Sequence, residues 1–313
     1  MHRYSNCEIK FALNRLKNFQ QKLSYEELVI DLDGYIERLP ISITTFPEIP
    51  LFNETQPRNK KLLYRARPNE KIDLLKSTLA LPFNTLEEIS LNLKIELIKR
   101  GRLNKANQSI FYCSNSVMGA CFEAISKGFF MDKAHYSMGL TVGIWKMVEP
   151  LELASLYYST SGLDFFQKND MQLYSKKLDY RNAVREKAMG RIQHDLKANA
   201  DELDLNMFLL DFFSDELGRI DIENENDYKL SNYYAEHVFE RVPQGEIDGI
   251  FYPSIPMAFQ GDNIALHPRA LKKLQFVSAM NVWAVYHEET RNLQIIPLKQ
   301  NIPADTNGLF HWS

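Results

Sequence analysis

The chain has few cysteines and no ladder of metal ligands. Its three cysteines, Cys7, Cys113 and Cys121, are an odd set without a CxxC pair. That argues against both a disulfide framework and a zinc site. The histidines are scattered, His135, His194 and His237 form no HExxH or i,i+4 pair, and neither a GxGxxG nor a P-loop sequence occurs. No apolar run approaches the roughly 20 residues that a membrane helix needs. Charge of one sign is lacking too: 37 Lys+Arg stand against 40 Asp+Glu, a formal net charge of −3. There is thus no global basic field of the kind that holds nucleic acid non-specifically. Glu8 and Lys10 interrupt the start of the chain, so no signal-like hydrophobic region forms there. The expected setting is a reducing cytoplasm, with no metal, no membrane and no direct nucleic-acid contact.

What is present is an ordinary globular composition, 45% hydrophobic and 25% charged over 313 residues, enough for one large domain or two small ones. Ala12, Leu16, Phe19 and Leu23 recur at helical spacing, and Ser24 with Glu27 makes a capping box ahead of Leu28, Leu32, Ile36 and Leu39. This predicts a helical hairpin. Pro40, Pro47, Pro50 and Pro57 then favour an extended connector over 40–58. The expected division is a helical extension with its connector over 1–58 and a main domain over 59–313, with a helical insertion near 160–225. Strands are predicted over 61–65, 109–113, 141–147, 151–157, 250–252 and 263–266, and as two separate strands over 274–279 and 282–287. Helices are predicted over 85–99, 116–126, 179–200 and 228–241, with 205–213 more apolar and 71–80 ambiguous. The mixture is that of an α+β protein.

Several side chains stand out chemically. Arg65 and Arg67 lie two apart on a predicted strand and so share a face, where they could line solvent or grip a pyrophosphate through a charged planar fork. Arg102 follows Gly101 and precedes Asn104 in a turn-rich stretch, a setting suited either to ending a helix or to reaching a ligand. Tyr112 ends the apolar run Ile110-Phe111-Tyr112, as core or as an amphipathic ring at a site. Glu123 is the one acidic residue between Arg102 and Asp132, set among Ala120, Cys121, Phe122, Ala124 and Ile125. A carboxylate there is either exposed or deliberately placed, because burying it unpaired is too costly. Ser254 follows Tyr252-Pro253 with no adjacent histidine, so a Ser-His-Asp nucleophile is not indicated.

Taken in order, Leu63-Tyr64-Arg65-Ala66-Arg67, Gly101-Arg102-Leu103-Asn104, Tyr112, Glu123, Asp248-Gly249-Ile250-Phe251-Tyr252-Pro253-Ser254 and Asp262-Asn263-Ile264-Ala265-Leu266 resemble the RES domain family. The likeness runs in patches over about residues 60–275. The family is named for an Arg, a Glu and a Ser, matched here by Arg65, Glu123 and Ser254. Where members often carry an aromatic residue just before the Gly-Arg step, this chain reads Ile98-Lys99-Arg100.

The resemblance implies an ADP-ribosyltransferase-like fold with NAD+ in a cleft between two small sheets. It implies Glu123, Arg65 and Ser254 as catalytic residues, and NAD+ contacts from Arg65, Arg102, Asn104, Tyr112 and Ser254. It also implies an intracellular toxin that degrades NAD+ at the nicotinamide–ribose bond by hydrolysis or phosphorolysis, with no cofactor beyond NAD+ as substrate. A small helix-turn-helix antitoxin of the Xre type is the implied partner, and a homodimer is compatible. Transfer of ADP-ribose to a protein, or a non-catalytic interaction protein on the same scaffold, remain alternatives at this point.

Overall fold

Capping sets the first two helices. Ser5 accepts from the Glu8 backbone N–H while the Glu8 carboxylate receives the Ser5 N–H, and Ser24 with Glu27 repeats the exchange. These boxes open α1 (Asn6–Phe19) and α2 (Tyr25–Tyr35), the predicted hairpin. The structure is a computed structural model in which residues 4–36, 39–46, 62–69, 82–91, 95–129, 137–156, 159, 186, 189–190, 194, 199–219, 222–242, 246–253, 262–287, 292–302, 308–309 and 311–312 are described. After α2 the elements are β1 (Ile43–Phe46), β2 (Leu62–Pro68), α3 (Leu86–Ser90), β3 (Phe111–Ser114), α4 (Val117–Phe129), β4 (Ser137–Met147) and β5 (Leu151–Ser155). They continue with α5 (Ala200–Gly218), α6 (Lys229–Glu236), β6 (Gly249–Pro253), β7 (Asp262–Leu266), β8 (Leu274–His287), β9 (Asn292–Ile302) and β10 (His311–Trp312). The protein is α+β. No helix among the described residues is long and apolar enough to cross a membrane.

Packing divides the chain into two units. The helical unit comprises Met1–Thr44, Lys99–Gln108 and Glu152–Pro253. Within it α1 packs on α2 and α5, and α5 on α6 and β6. Leu13, Leu28, Leu32, Phe213, Leu217, Tyr233 and Tyr234 fill its core, with the Phe213 and Tyr233 rings stacked 6.1 Å apart. Charges are buried here too, among them Glu216, met by Lys17 of α1 at 3.0 Å and by Arg219 at 3.6 Å. A buried carboxylate needs such partners. Strands β5 and β6 pair in parallel, Leu153 opposite Gly249 and Ser155 opposite Phe251.

The sheet unit comprises Thr45–Ile98, Ser109–Leu151 and Ser254–Ser313. Its strands lie in the order β7-β3-β2-β4-β8-β9-β10, antiparallel throughout. Seven residue pairs join β2 to β4 and four join β3 to β7, yet β2 and β3 share one registered pair, Tyr64 with Ser114. The unit is therefore two ladders that meet at a single residue pair and part beyond it. Helix α4 covers one face, its Cys121, Ala124 and Ile125 packing on Leu140 and Val142 of β4 and Val282 and Ala284 of β8.

Two expectations are corrected. The helix over 85–99 stops at Ser90: Thr85 caps it, but Leu91 is extended, and among the described residues that follow there is a 3-10 turn at Ile95–Leu97. Its apolar residues Leu91, Leu93, Ile95 and Leu97 alternate every second position, which cannot form one helical face. The two strands over 274–279 and 282–287 are one, β8, because Asn281 is no turn residue. It is buried and its Oδ1 accepts from Asn69 Nδ2 at 3.0 Å, inside the sheet. The predicted helix over 228–241 changes character midway, α6 passing into a π-helical turn at His237–Arg241. Residues 71–80 and most of 160–198 lie outside the described residues.

Candidate active site

Strand β3, four residues long, is the axis of the candidate site in the sheet unit. Side chains alternate along it, so Phe111 and Cys113 leave one face and Tyr112 and Ser114 the other. Where β2 and β3 part, Arg65 takes the place of the missing ladder. Its Nη1 donates to the Tyr112 carbonyl at 3.1 Å, its Nε donates to the Ile89 carbonyl at 3.1 Å, and its guanidinium carbon stands 4.9 Å from the Phe111 ring centroid. Arg67, two residues on, donates to the Glu88 carbonyl and lies over Phe83. The shared face predicted for the two arginines holds, and both serve carbonyls at the end of α3, groups that a helix leaves without partners.

Arg65 is 8% exposed. Burial, with Arg67 nearby adding repulsion, pulls its pKa down from the ordinary guanidinium value to about 10. Among the described residues no carboxylate forms an ion pair with it. A buried cation answered by neutral carbonyls and an aromatic ring is still short of negative charge. Cys113 is also near this guanidinium, but burial pushes its thiol upward and leaves it inert.

On the other face, α4 lies close enough to β3 that a Cβ at Gly119 would meet Ser114 Oγ at 2.2 Å. That approach lets Glu123, half-buried on the flank of α4, reach β7. Asn263 Nδ2 donates to Glu123 Oε1 at 2.5 Å, and Asn263 stands opposite Ser114 in the β3–β7 register. Tyr112, Glu123 and Asn263 are thus disposed about the same face, while Arg65 occupies the seam beside them with Phe111. Asn263 was visible in the sequence as a polar residue in the apolar run Ile264-Ala265-Leu266, but nothing there gave it a role.

Arg102 and Asn104 belong to the helical unit. The Arg102 guanidinium donates to the Leu217 carbonyl and, at 3.1 Å, to the Arg219 carbonyl, and lies 5.8 Å from the Tyr228 ring centroid. It closes the C-terminus of α5. Asn104 Nδ2 donates to the Lys99 and Lys105 carbonyls at 2.9 Å each, and the Gly101–Asn104 backbone forms an antiparallel bridge. Asn232 and Ser231 of α6 hold the Gly101 and Arg102 carbonyls from the other side. Ser254 lies outside the described residues.

An α+β protein with a guanidinium and a carboxylate set about one short strand is the class that fold and site define. A family model described as RES domain matches residues 92–286, well over half of the chain, and the protein belongs to the RES domain family. The matched stretch contains Arg102, Asn104, Tyr112, Glu123, Ser254 and Asn263, whereas Arg65 and Arg67 precede it. No curated protein and no solved structure matched the chain.

Proposed function

We propose that this protein consumes NAD+, breaking the bond between the nicotinamide nitrogen and ribose C1′. The observation that carries the reading is the placement of opposite charges around β3: a buried guanidinium bonded to the Tyr112 carbonyl, and a carboxylate held by Asn263 opposite Ser114. NAD+ presents the matching charges, an anionic pyrophosphate and a ribose that becomes cationic as the glycosidic bond lengthens.

In this reading Arg65 meets the pyrophosphate through a charge-assisted bond. Glu123 holds the ribose hydroxyls and stabilises the oxocarbenium-like state, and Tyr112 offers its ring or hydroxyl. The bonding pair leaves on nicotinamide, which departs as a neutral base. An oxygen of water or phosphate bonds to C1′, and water gives up a proton. Ser254 is assigned a hydrogen bond to the ligand rather than attack on it. Arg102 and Asn104 already serve backbone carbonyls, so any contact they make to NAD+ must use the donors those bonds leave.

A protein that empties a shared pool of NAD+ is toxic to the cell that makes it, so a small helix-turn-helix antitoxin belongs to the proposal as its partner. The purified protein incubated with NAD+ tests the reading. Free nicotinamide with ADP-ribose or its phosphorylated form supports it, ADP-ribose attached to protein redirects it to transfer, and intact NAD+ overturns it. Expression in bacteria gives the cellular counterpart: growth stops as NAD+ falls, and normal growth with normal NAD+ despite abundant soluble protein counts against toxicity.

A further inference from the structure

The Asn263 side chain is 1% exposed on β7, and its two ends are treated unequally. Nδ2 donates to Glu123, whereas Oδ1 is buried with no hydrogen-bond partner. The neighbouring donor, Ser114 Oγ, is already committed to the Asp262 carbonyl at 2.8 Å. The amide cannot be turned round to relieve this, because its carbonyl would then face a carboxylate. An unmade hydrogen bond on a buried carbonyl is a folding penalty that an apolar side chain of the same shape would avoid. For the strand alone, then, Asn263 is a poor choice. Its one compensation is the charge-assisted bond to Glu123.

We propose that Asn263 is a positioning residue for Glu123, spending its amide donor to hold the carboxylate and so orient it toward the reacting ribose. The inference rests on the NAD+ reading. Asn263 need not touch the substrate; it acts through Glu123. Three features set the geometry: the Ser114–Asn263 register, the close approach that Gly119 allows between α4 and β3, and the burial of the amide. A side chain that acts only through a second one has no effect once that second one is gone, whereas a side chain that supports the fold keeps its effect.

The test is a double-mutant cycle on NAD+ turnover by the full chain, with thermal melts alongside. Asn263→Ala should lower kcat about 10-fold or more while KM changes less than about 3-fold, and in the Glu123→Gln background it should cost less than about 2-fold further. Asn263→Asp keeps the shape and removes the donor, so it should be as slow as the alanine variant. Losses that multiply across the cycle, or an Asn263→Asp protein with wild-type kcat, overturn the inference. Wild-type protein that leaves NAD+ intact removes the reading and this inference together. An active wild type with multiplicative losses removes this inference alone.

Discussion

Glu123 and Arg102, on either side of β3 in the sequence, show how differently two charges are employed. Replacing Glu123 by Gln keeps the shape and the contact with Asn263 but removes the charge. If the carboxylate stabilises a cationic ribose, NAD+ should bind nearly normally and turn over at least about 10²-fold more slowly, the scale of losing one electrostatic catalytic group. Isothermal binding and product release measured on the same preparation check this; turnover at the wild-type rate would make the carboxylate structural. Arg102 is already tied to the Leu217 and Arg219 carbonyls at the end of α5. Arg102→Ala should therefore destabilise the protein by roughly 1–3 kcal/mol, the cost of leaving carbonyls without donors. A melt unchanged in that variant would contradict the capping role. The sequence pointed to both side chains, but the helix end it suggested at Gly101 was that of the helix over 85–99, which stops at Ser90. It could not say that the helix being closed is α5, more than a hundred residues later, because that contact exists only after folding.

At the scale of elements, local signals carried furthest. The Ser24–Glu27 capping box, the helix around Glu123 and the strand bearing Arg65 could all be read before folding, since each rests on neighbours in sequence. What escaped was pairing. The stretch between 279 and 282 read as a turn, and Asn281 there is instead a buried residue of β8, opposite Thr141 of β4, whose side chain accepts from Asn69. The parting of β2 from β3 was equally invisible, since it depends on an arginine side chain entering the sheet. The close approach of α4 to β3 makes a test of its own. Gly119→Ala improves helix propensity by up to about 1 kcal/mol, but the added Cβ would displace Ser114 Oγ from its bond to the Asp262 carbonyl. Overpacking of this kind costs about 1–3 kcal/mol, so the variant should be less stable on balance. Ser114→Ala combined with Gly119→Ala should recover part of the loss, and a cycle of four melting curves reads it. A more stable Gly119→Ala single variant would show that α4 has room to move away.

Over the whole molecule, most of the described titratable groups with shifted values lie in the helical unit, and three partly buried carboxylates and a histidine there all shift downward. For Asp33, burial raises the pKa, but hydrogen bonds from Arg241 and Tyr233 outweigh it and the net shift is downward. Asp227 and Glu236 behave alike, burial being outweighed by Gln21 and backbone N–H donors in the first and by Lys105 and Tyr25 in the second. His237, where α6 passes into its π-helical turn, is also lowered, by burial first and by the Arg241 charge second. Arg241, Asp33 and Glu236 are the charged groups that face it. In all four cases the unfolded chain binds protons more readily than the folded one, so stability rises with pH. The contribution of His237 is present above the ordinary histidine value of 6.5 and is lost as pH falls through its lower folded value. The carboxylate contributions are present above their ordinary values of 3.8 and 4.5 and are lost below them. Melting temperature should therefore decline in two stages on acidification, a shallow one beginning below 6.5 and a steeper one that begins below 4.5 with Glu236 and deepens below 3.8 as Asp33 and Asp227 join it. His237→Gln should flatten the first stage and leave the second, which separates the histidine from the carboxylates. A melting temperature that stays level from neutral pH to below the carboxylate range would contradict both assignments.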